Sequence, residues 1–199
     1  MSCPNTNNPK SKTPSVHFTL RSTPDESAPR MYELREIARN AGFVALGPLS
    51  LLTGDDVAII PNDPMKTLKL HARGLLVHAD EVISYMPTGI VGFEALFPNG
   101  EKLAIGLCEY PDSVISDKGI ELSTGMAGRS GWMSFARTLR SRECDGCQAC
   151  IDSHHALIRL LEAADEMGIL KHVRDPFGYW KTKDEGSLRA AMVGELCSH

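Results

Sequence analysis

The residues best suited to metal chemistry lie together in the last third of the chain. Cys144, Cys147 and Cys150 form a C-x2-C-x2-C run, and His154 follows after three residues. Gaps of two residues let successive thiolates converge on one ion, so these four side chains are candidate ligands for zinc or for part of an iron–sulfur cluster. The spacing therefore suggests zinc, with an iron–sulfur cluster as the alternative, and otherwise leaves the cofactor unknown.

The same cysteines also fit a purely structural role. At helical spacing, Cys147, Cys150 and His154 share one face with the isoleucines and leucines that follow them. Cysteine is among the most buried residue types, so this stripe is typical of a helix packed on a core. A further interpretation pairs Cys144 with Cys147 for redox chemistry at a helix start, although the aspartate between them opposes a low thiol pKa.

A second candidate site is a run of basic residues in a chain that is acidic overall. The chain has 21 lysines and arginines against 25 aspartates and glutamates, yet no acid lies between Ser123 and Arg142. The arginines of this run are Arg129, Arg137, Arg140 and Arg142. A guanidinium suits carboxylate or phosphate, and the glycines of the segment STGMAGRSG let backbone amides approach a ligand. We predict an anion-accepting pocket near Arg137, with a flexible connector and a solvated face as the alternative.

Three stretches of the last third carry aromatic, basic and acidic side chains in a distinctive order. They read SGWMSFARTLRS, SHHALIRLLEAADEMGI and DPFGYWKTKD. Together they resemble an uncharacterised family of bacterial proteins with a W-x-x-F-C-K-T stretch, a His-led helix and a G-Y-W-x-T-R-D segment. The resemblance covers residues 131–192 and implies no activity. Ala136 stands where the family has a cysteine, so the resemblance implies no thiol nucleophile at that position.

The resemblance points to side chains that could line a ligand pocket. The candidate ligand-binding residues are Arg137, Thr138, His154, Asp175, Tyr179 and Trp180. They combine one cation, one imidazole, one carboxylate and two aromatic rings with polar tips. An alternative is a hydrolase or transferase in which His154 acts as a base oriented by Asp175, for which no motif supplies a nucleophile. Another is a shared core, so the sequence leaves open whether the protein is an enzyme.

Charge and hydropathy limit the partners of such a protein. A net charge of −4 gives no overall positive field for nucleic acid or anionic lipid, and an aromatic content of 6% argues against a platform for single-stranded RNA. No apolar run approaches the roughly 20 residues of a membrane span, and the first dozen residues hold no signal-peptide core. We therefore predict a cytoplasmic protein that binds a small anionic ligand or a partner, and a homo-oligomer is compatible with the sequence.

Strand patterns dominate the first two-thirds of the chain. Apolar and polar residues alternate from Val16 to Arg21, and Thr23-Pro24 then combines a capping hydroxyl with a first-turn proline, so a strand and a helix are predicted. A hairpin is predicted in which Phe93–Leu96 pairs with Leu103–Leu107 around Asn99-Gly100. Further strands are predicted at Val57–Ile60 and, with a helix as the alternative, at Leu68–Ala72.

Helical periodicity dominates the last third. Helices are predicted at Ser130–Arg142, Asp145–Met167 and Ser187–Leu196, and Gly168 ends the second of them. Residues 1–14 have almost no apolar side chains to bury and are predicted to form a disordered tail. The predicted fold is a single α+β domain over residues 15–199, with an antiparallel sheet from the N-terminal two-thirds packed with helices that are mostly C-terminal.

Overall fold

Strands and helices share the chain almost equally in a computed structural model that describes residues 14–139 and 147–197. The strands in these residues are β1 (Val16–Ser22), β2 (Ala45–Leu46), β3 (Ser50–Thr53), β4 (Gly74–His78), β5 (Glu81–Tyr85), β6 (Gly89–Leu96), β7 (Lys102–Glu109), β8 (Ser113–Ile115), β9 (Glu121–Ser123), β10 (Ser130–Ala136) and β11 (Leu170–Arg174). The helices there are α1 (Pro24–Ala38), α2 (Lys66–His71), α3 (Cys147–Glu166), α4 (Tyr179–Thr182) and α5 (Glu185–Cys197), with a 3-10 turn at Gly54–Val57. The predicted α+β class is confirmed. The predicted tail lies, apart from Pro14, outside the described residues.

Seven strands form one antiparallel sheet. Their order is β11–β1–β10–β7–β6–β2, and β3 also pairs with β6. The first strand lies between two late ones, since Val16 pairs with Ala136 of β10 and His17 pairs with Arg174 of β11. The hairpins β4–β5 and β8–β9 form separate two-stranded sheets. The last third of the chain thus completes the sheet that its first strand begins.

The helices cover the two faces of the sheet unequally. Helix α1 packs against α3, β6 and β7, and the short helix α2 also contacts β6 and β7. A Cβ atom on Gly92 would meet Leu68 of α2, whereas Phe93, the next residue along β6, points to the opposite face and is fully buried in the main core. Helices α1 and α3 therefore cover the core face, and α2 covers a part of the other face.

The elements with strong local patterns are confirmed. In the predicted hairpin, Phe93 pairs with Ile105 and Ala95 with Leu103, and Gly100 in the turn has a φ of 82°. Strand β1 and helices α1, α3 and α5 lie where they were predicted, and Gly168, with a φ of 74°, follows α3. None of the helices in the described ranges is long and apolar enough to cross a membrane.

The helix predicted at Ser130–Arg142 is wrong in its first half, which forms β10. Trp132 and Ser134 are buried whereas Met133 and Phe135 are exposed, so the segment follows the two-residue period of a strand. The helix was predicted because the bulky residues at positions 132 and 135 are three residues apart, which is a helical spacing. A segment this short fits both the helical period and the two-residue period of a strand. Pairing with β1 over all seven residues decides in favour of the strand.

Two strand predictions in the middle of the chain are also wrong. Leu68 and Ala72, predicted to lie in a strand, are fully buried four residues apart, and α2 forms between Lys66 and His71. The Asp63 carboxylate accepts the Met65 amide just before this helix and pairs with Lys69 within it. The segment predicted as a strand at Val57–Ile60 instead ends a 3-10 turn and continues without regular structure, with the Ala58 carbonyl accepting the Lys69 ammonium.

Candidate functional site

Three of the predicted ligand-binding residues meet in one buried cluster. Thr138 follows β10, His154 lies in α3, and Asp175 follows β11, so tertiary packing alone brings them together. The Thr138 Oγ1 atom is 3.1 Å from Nδ1 of His154, and Nε2 of the same ring is 3.3 Å from Oδ2 of Asp175. Thr138 and His154 are fully buried, and the Asp175 side chain is 2% exposed.

A tight turn holds the Asp175 carboxylate in place. Its Oδ1 atom accepts the Phe177 amide at 2.9 Å, and Oδ2 accepts the Trp180 amide at 2.8 Å. Such bonds are typical of aspartate in turns, and the sequence D-P-F-G supplies the proline and glycine that the bend needs. Gly178 has a φ of 75° immediately before α4. The carboxylate is therefore ordered by its own backbone before it meets His154.

Aromatic rings enclose the His154 imidazole. The Phe177 ring centroid lies 5.4 Å away and the Tyr179 centroid 5.8 Å away, both edge-on. The predicted residue Trp180 contributes its backbone amide to Asp175, while its ring packs against the main core and below the Lys183 ammonium, 4.8 Å from the ring centroid. These contacts bury the cluster. The alternative of a hydrolase or transferase that uses His154 as a base stays a prediction, and neither the His154 imidazole nor the Thr138 hydroxyl is exposed to a substrate.

Asn99 joins the same polar network from the tip of the β6–β7 hairpin. Its side-chain amide donates to the Thr138 carbonyl at 3.0 Å, and its backbone amide donates to Oγ of Ser153 at 3.0 Å. The sequence identified Asn99 as a turn residue because of the glycine after it. Its second role could not be found there, because its partners are distant in sequence.

The Asp175 carboxyl should make stability depend on pH below about 4. Burial alone would raise its pKa, but the hydrogen bonds from His154 and the Trp180 amide outweigh burial and hold the pKa below the usual 3.8. A lowered pKa stabilises the folded state fully above pH 3.8, and this contribution is lost as the pH falls towards the pKa of the folded state.

We expect the difference in unfolding free energy between the wild type and Asp175→Asn to be constant from about pH 5 to 7 and to shrink below about pH 4. Urea unfolding at each pH measures this difference, in which the titrating groups that do not contact Asp175 cancel. A difference that is flat down to about pH 3 would contradict the lowered pKa.

Arg137 lies outside the buried cluster. Its side chain is exposed, and the guanidinium carbon is 5.7 Å from the centroid of the Phe135 ring. Within the described parts of the chain it makes no hydrogen bond, ion pair or ring contact with His154 or Tyr179. Thr138, Asp175 and Tyr179 all contact His154. The guanidinium of Arg137, the predicted anion-binding group, is not part of their cluster.

The predicted metal ligands are described in part. Cys144 and the side chain of Cys147 lie outside the described residues. Cys150 is fully buried in a small core with Leu139 and Phe177, and both ring nitrogens of His154 face protein groups. Among the described side chains, no group of three histidine, cysteine, aspartate or glutamate residues is arranged to hold a metal ion. Zinc or iron–sulfur binding by the cysteine run stays a prediction.

A cleft lined by basic residues lies at another place in the fold, where β1 passes into α1. Its volume is about 610 Å³. The cations that line it are Arg21, Arg30, Arg129 and Lys171, and Glu26 is the acid among the lining residues. Arg129 belongs to the glycine-rich segment that the sequence singled out, whereas the other cations come from separate elements. No local pattern could have grouped them.

The cations of the cleft are incompletely neutralised. Lys171 donates to the Gly168 carbonyl at 2.8 Å, and Arg30 lies 3.8 Å from Glu33. Neither Arg21 nor Arg129 has a carboxylate partner among residues 14–139 and 147–197. The cleft therefore carries positive charge that the surrounding protein does not balance.

Comparison with known proteins adds no functional assignment to this geometry. No family model, no curated protein and no solved structure matches the chain. The resemblance that the three motif stretches suggest therefore stays a prediction, and function has to be argued from the described residues.

Proposed function

We propose that the protein binds a small anionic molecule, carrying phosphate or carboxylate groups, in the basic cleft at the β1–α1 junction. The observation that carries the proposal is the convergence of Arg21, Arg30, Arg129 and Lys171 on one concave surface with a single lining carboxylate. This is the functional class that the sequence predicted, moved from Arg137 to the other end of β10.

The charge balance of the cleft favours this function. Like charges held close together repel one another and destabilise the folded state, so four cations around one carboxylate have an energetic cost. A bound anion removes that cost. Arginine is also suited to the task, because its planar fork of donors matches the paired oxygens of carboxylate and phosphate.

The backbone around the cleft supports the same ligand class. Helix α1 begins at Pro24 beside the cleft, and the start of a helix carries partial positive charge. Ser22 lines the cleft, and its Oγ atom is buried without a hydrogen-bond partner among the described residues. A buried hydroxyl without a partner is costly, and an anion's oxygen could accept its proton.

Calorimetric titration of the full-length protein with phosphate, pyrophosphate and citrate tests the proposal. We expect at least one of these anions to bind, and we expect Arg129→Gln to weaken its binding about tenfold, since hydrogen bonds to charged groups contribute about 1.5–3 kcal/mol. Arg73→Gln is the matched control, because Arg73 is exposed and does not line the cleft. The proposal fails if none of the three anions binds at millimolar concentration, or if both variants weaken binding equally.

A further inference from the structure

A second basic surface lies on the sheet itself, on the exposed side of the three neighbouring strands β1, β10 and β11, where His71 at the end of α2 contacts Phe135 of β10. In β1, buried Phe18 and Leu20 alternate with exposed His17 and Arg21. The exposed residues of β10 and β11 lie on the same side, because directly opposed residues of antiparallel strands share a face. We call this surface the open sheet face.

Register gives the arrangement of its side chains. Arg174, His17 and Phe135 form one row across the three strands, and His172, Thr19 and Met133 form the next row. Neighbouring strands are about 4.8 Å apart, and successive rows on one face are about 6.8 Å apart. The two rows thus place rings and cations side by side on one face of the sheet.

The open sheet face is strongly basic in a chain of net charge −4. Arg21, Arg137 and Arg174 are exposed on it or at its edge, with His17 and His172 between them. None of the three arginines has a carboxylate partner within the described ranges. The strands β1, β10 and β11 contain no aspartate or glutamate, so this surface is positively charged although the net charge of the chain is negative.

An exposed aromatic ring lies in the middle of these charges. Phe135 is 39% exposed. Its ring centroid lies 5.5 Å from that of His71 in α2, 5.9 Å from that of His17 and 5.7 Å from the guanidinium carbon of Arg137. Phe135 belongs to neither hydrophobic core that the described residues form, and its ring stays partly exposed beside the two imidazoles. Flanked by an imidazole and a guanidinium, it forms a stacking platform of the kind on which unpaired bases bind.

These observations point to single-stranded nucleic acid as the occupant, and we infer that the open sheet face binds single-stranded RNA or DNA through base stacking on Phe135 and phosphate contacts to Arg137 and Arg174. A duplex fits less well, since its bases are paired and stacked internally and leave Phe135 without a partner. An acidic protein segment would match the charges but would make no use of the ring.

The inference does not rest on the proposed anion cleft. Phe135, Arg137 and Arg174 are not among the residues that line that cleft, and Arg21 is the one side chain common to both surfaces. Arg30 is the corresponding test residue for the cleft, because it lines the cleft and belongs to α1, not to one of the three strands. Variants at Arg30 and at Phe135 therefore separate the two hypotheses.

Fluorescence anisotropy with labelled oligonucleotides of about 12 nucleotides tests the inference on the full-length protein. We expect single-stranded RNA or DNA to bind more tightly than a duplex of the same length, with an affinity that falls as salt rises. Phe135→Leu should weaken binding about tenfold. Arg137→Gln and Arg174→Gln should each weaken binding and lower the slope of log affinity against log salt by about 0.7.

Two matched controls and a competitor complete the experiment. Tyr32→Leu removes an exposed ring from α1, and Arg30→Gln removes a cation of the cleft; both should leave oligonucleotide affinity within about twofold. Circular dichroism verifies that each variant is folded. The inference is overturned if no oligonucleotide binds at low salt, if Phe135→Leu and Tyr32→Leu behave alike, if the duplex binds as tightly as the single strand, or if polyglutamate competes as well as unlabelled oligonucleotide.

Discussion

Replacing His154 with alanine is expected to lower the free energy of unfolding by about 3–5 kcal/mol. The substitution leaves the Asp175 carboxylate, 2% exposed, without its imidazole partner, and it leaves the Thr138 hydroxyl facing an empty space. A charge that stays buried after its partner is removed is among the most costly changes a fold can suffer, and the cavity left by the ring adds to it.

The next residue of α3 provides the control for this substitution. His155 pairs with Glu185 at 2.8 Å, but its side chain is 18% exposed and that of Glu185 is 58% exposed. Ion pairs near the surface contribute little, so His155→Ala should cost about 1 kcal/mol. Denaturant unfolding followed by circular dichroism compares the two variants. If both variants lost the same free energy of unfolding, the buried cluster would contribute no more to stability than an ion pair near the surface.

Gly92→Ala is expected to destabilise the protein by about 3 kcal/mol, at the upper end of overpacking effects. A Cβ atom at this position would lie 2.6 Å from the Ile105 carbonyl oxygen and 3.0 Å from Cα of Gly106, its partner in β7. Both atoms belong to the backbone of the neighbouring strand, so no change of side-chain conformation relieves the contact. The two central strands would have to separate.

The same substitution at Gly194 should have the opposite sign. Gly194 lies within α5, and an added Cβ would meet nothing within 4 Å. Alanine favours the helix over glycine by about 0.5–1 kcal/mol, so Gly194→Ala should raise the midpoint of thermal unfolding while Gly92→Ala lowers it. Calorimetry of the two variants reports both signs, and a stabilised Gly92→Ala would contradict the close approach of β6 and β7.

Sequence patterns predicted those elements whose structure is decided locally. The asparagine and glycine at positions 99 and 100 fix the hairpin turn, and the apolar stripe from Cys150 onward fixes α3. β10 was predicted as a helix because Trp132 and Phe135 satisfy both periods, and its pairing with β1 is decided by residues that are distant in sequence. The apolar pattern within one segment does not indicate which distant strand it pairs with.

The candidate sites were also predicted only in part from the sequence. The motif resemblance grouped Thr138, His154 and Asp175 correctly in space, yet their complete burial could not be predicted from residue types. Arg137 follows β10 with its side chain exposed, outside the buried cluster, and its role in an anion-accepting pocket stays a prediction. The basic cleft combines segments as distant as Arg21 and Lys171, and proximity of this kind arises from the fold alone.

The prediction from net charge and aromatic content that nucleic acid is not a partner stays untested. The prediction against nucleic acid used sums over the whole chain, and a sum does not reveal how charges are distributed. Arg137 and Arg174 lie on the same face as the exposed ring of Phe135, and our proposal of single-stranded nucleic acid rests on this local arrangement.

The position of β1 also constrains how the protein folds during synthesis. This strand is synthesised before the other strands of its sheet, but both of its neighbours, β10 and β11, belong to the last third of the chain. The hairpin of β6 and β7 closes a short loop and can form early, whereas β1 must wait with Val16, Phe18 and Leu20 unburied. During that interval the nascent chain exposes an apolar strand with two free edges, which is the kind of segment that chaperones shield and that pairs wrongly with other copies.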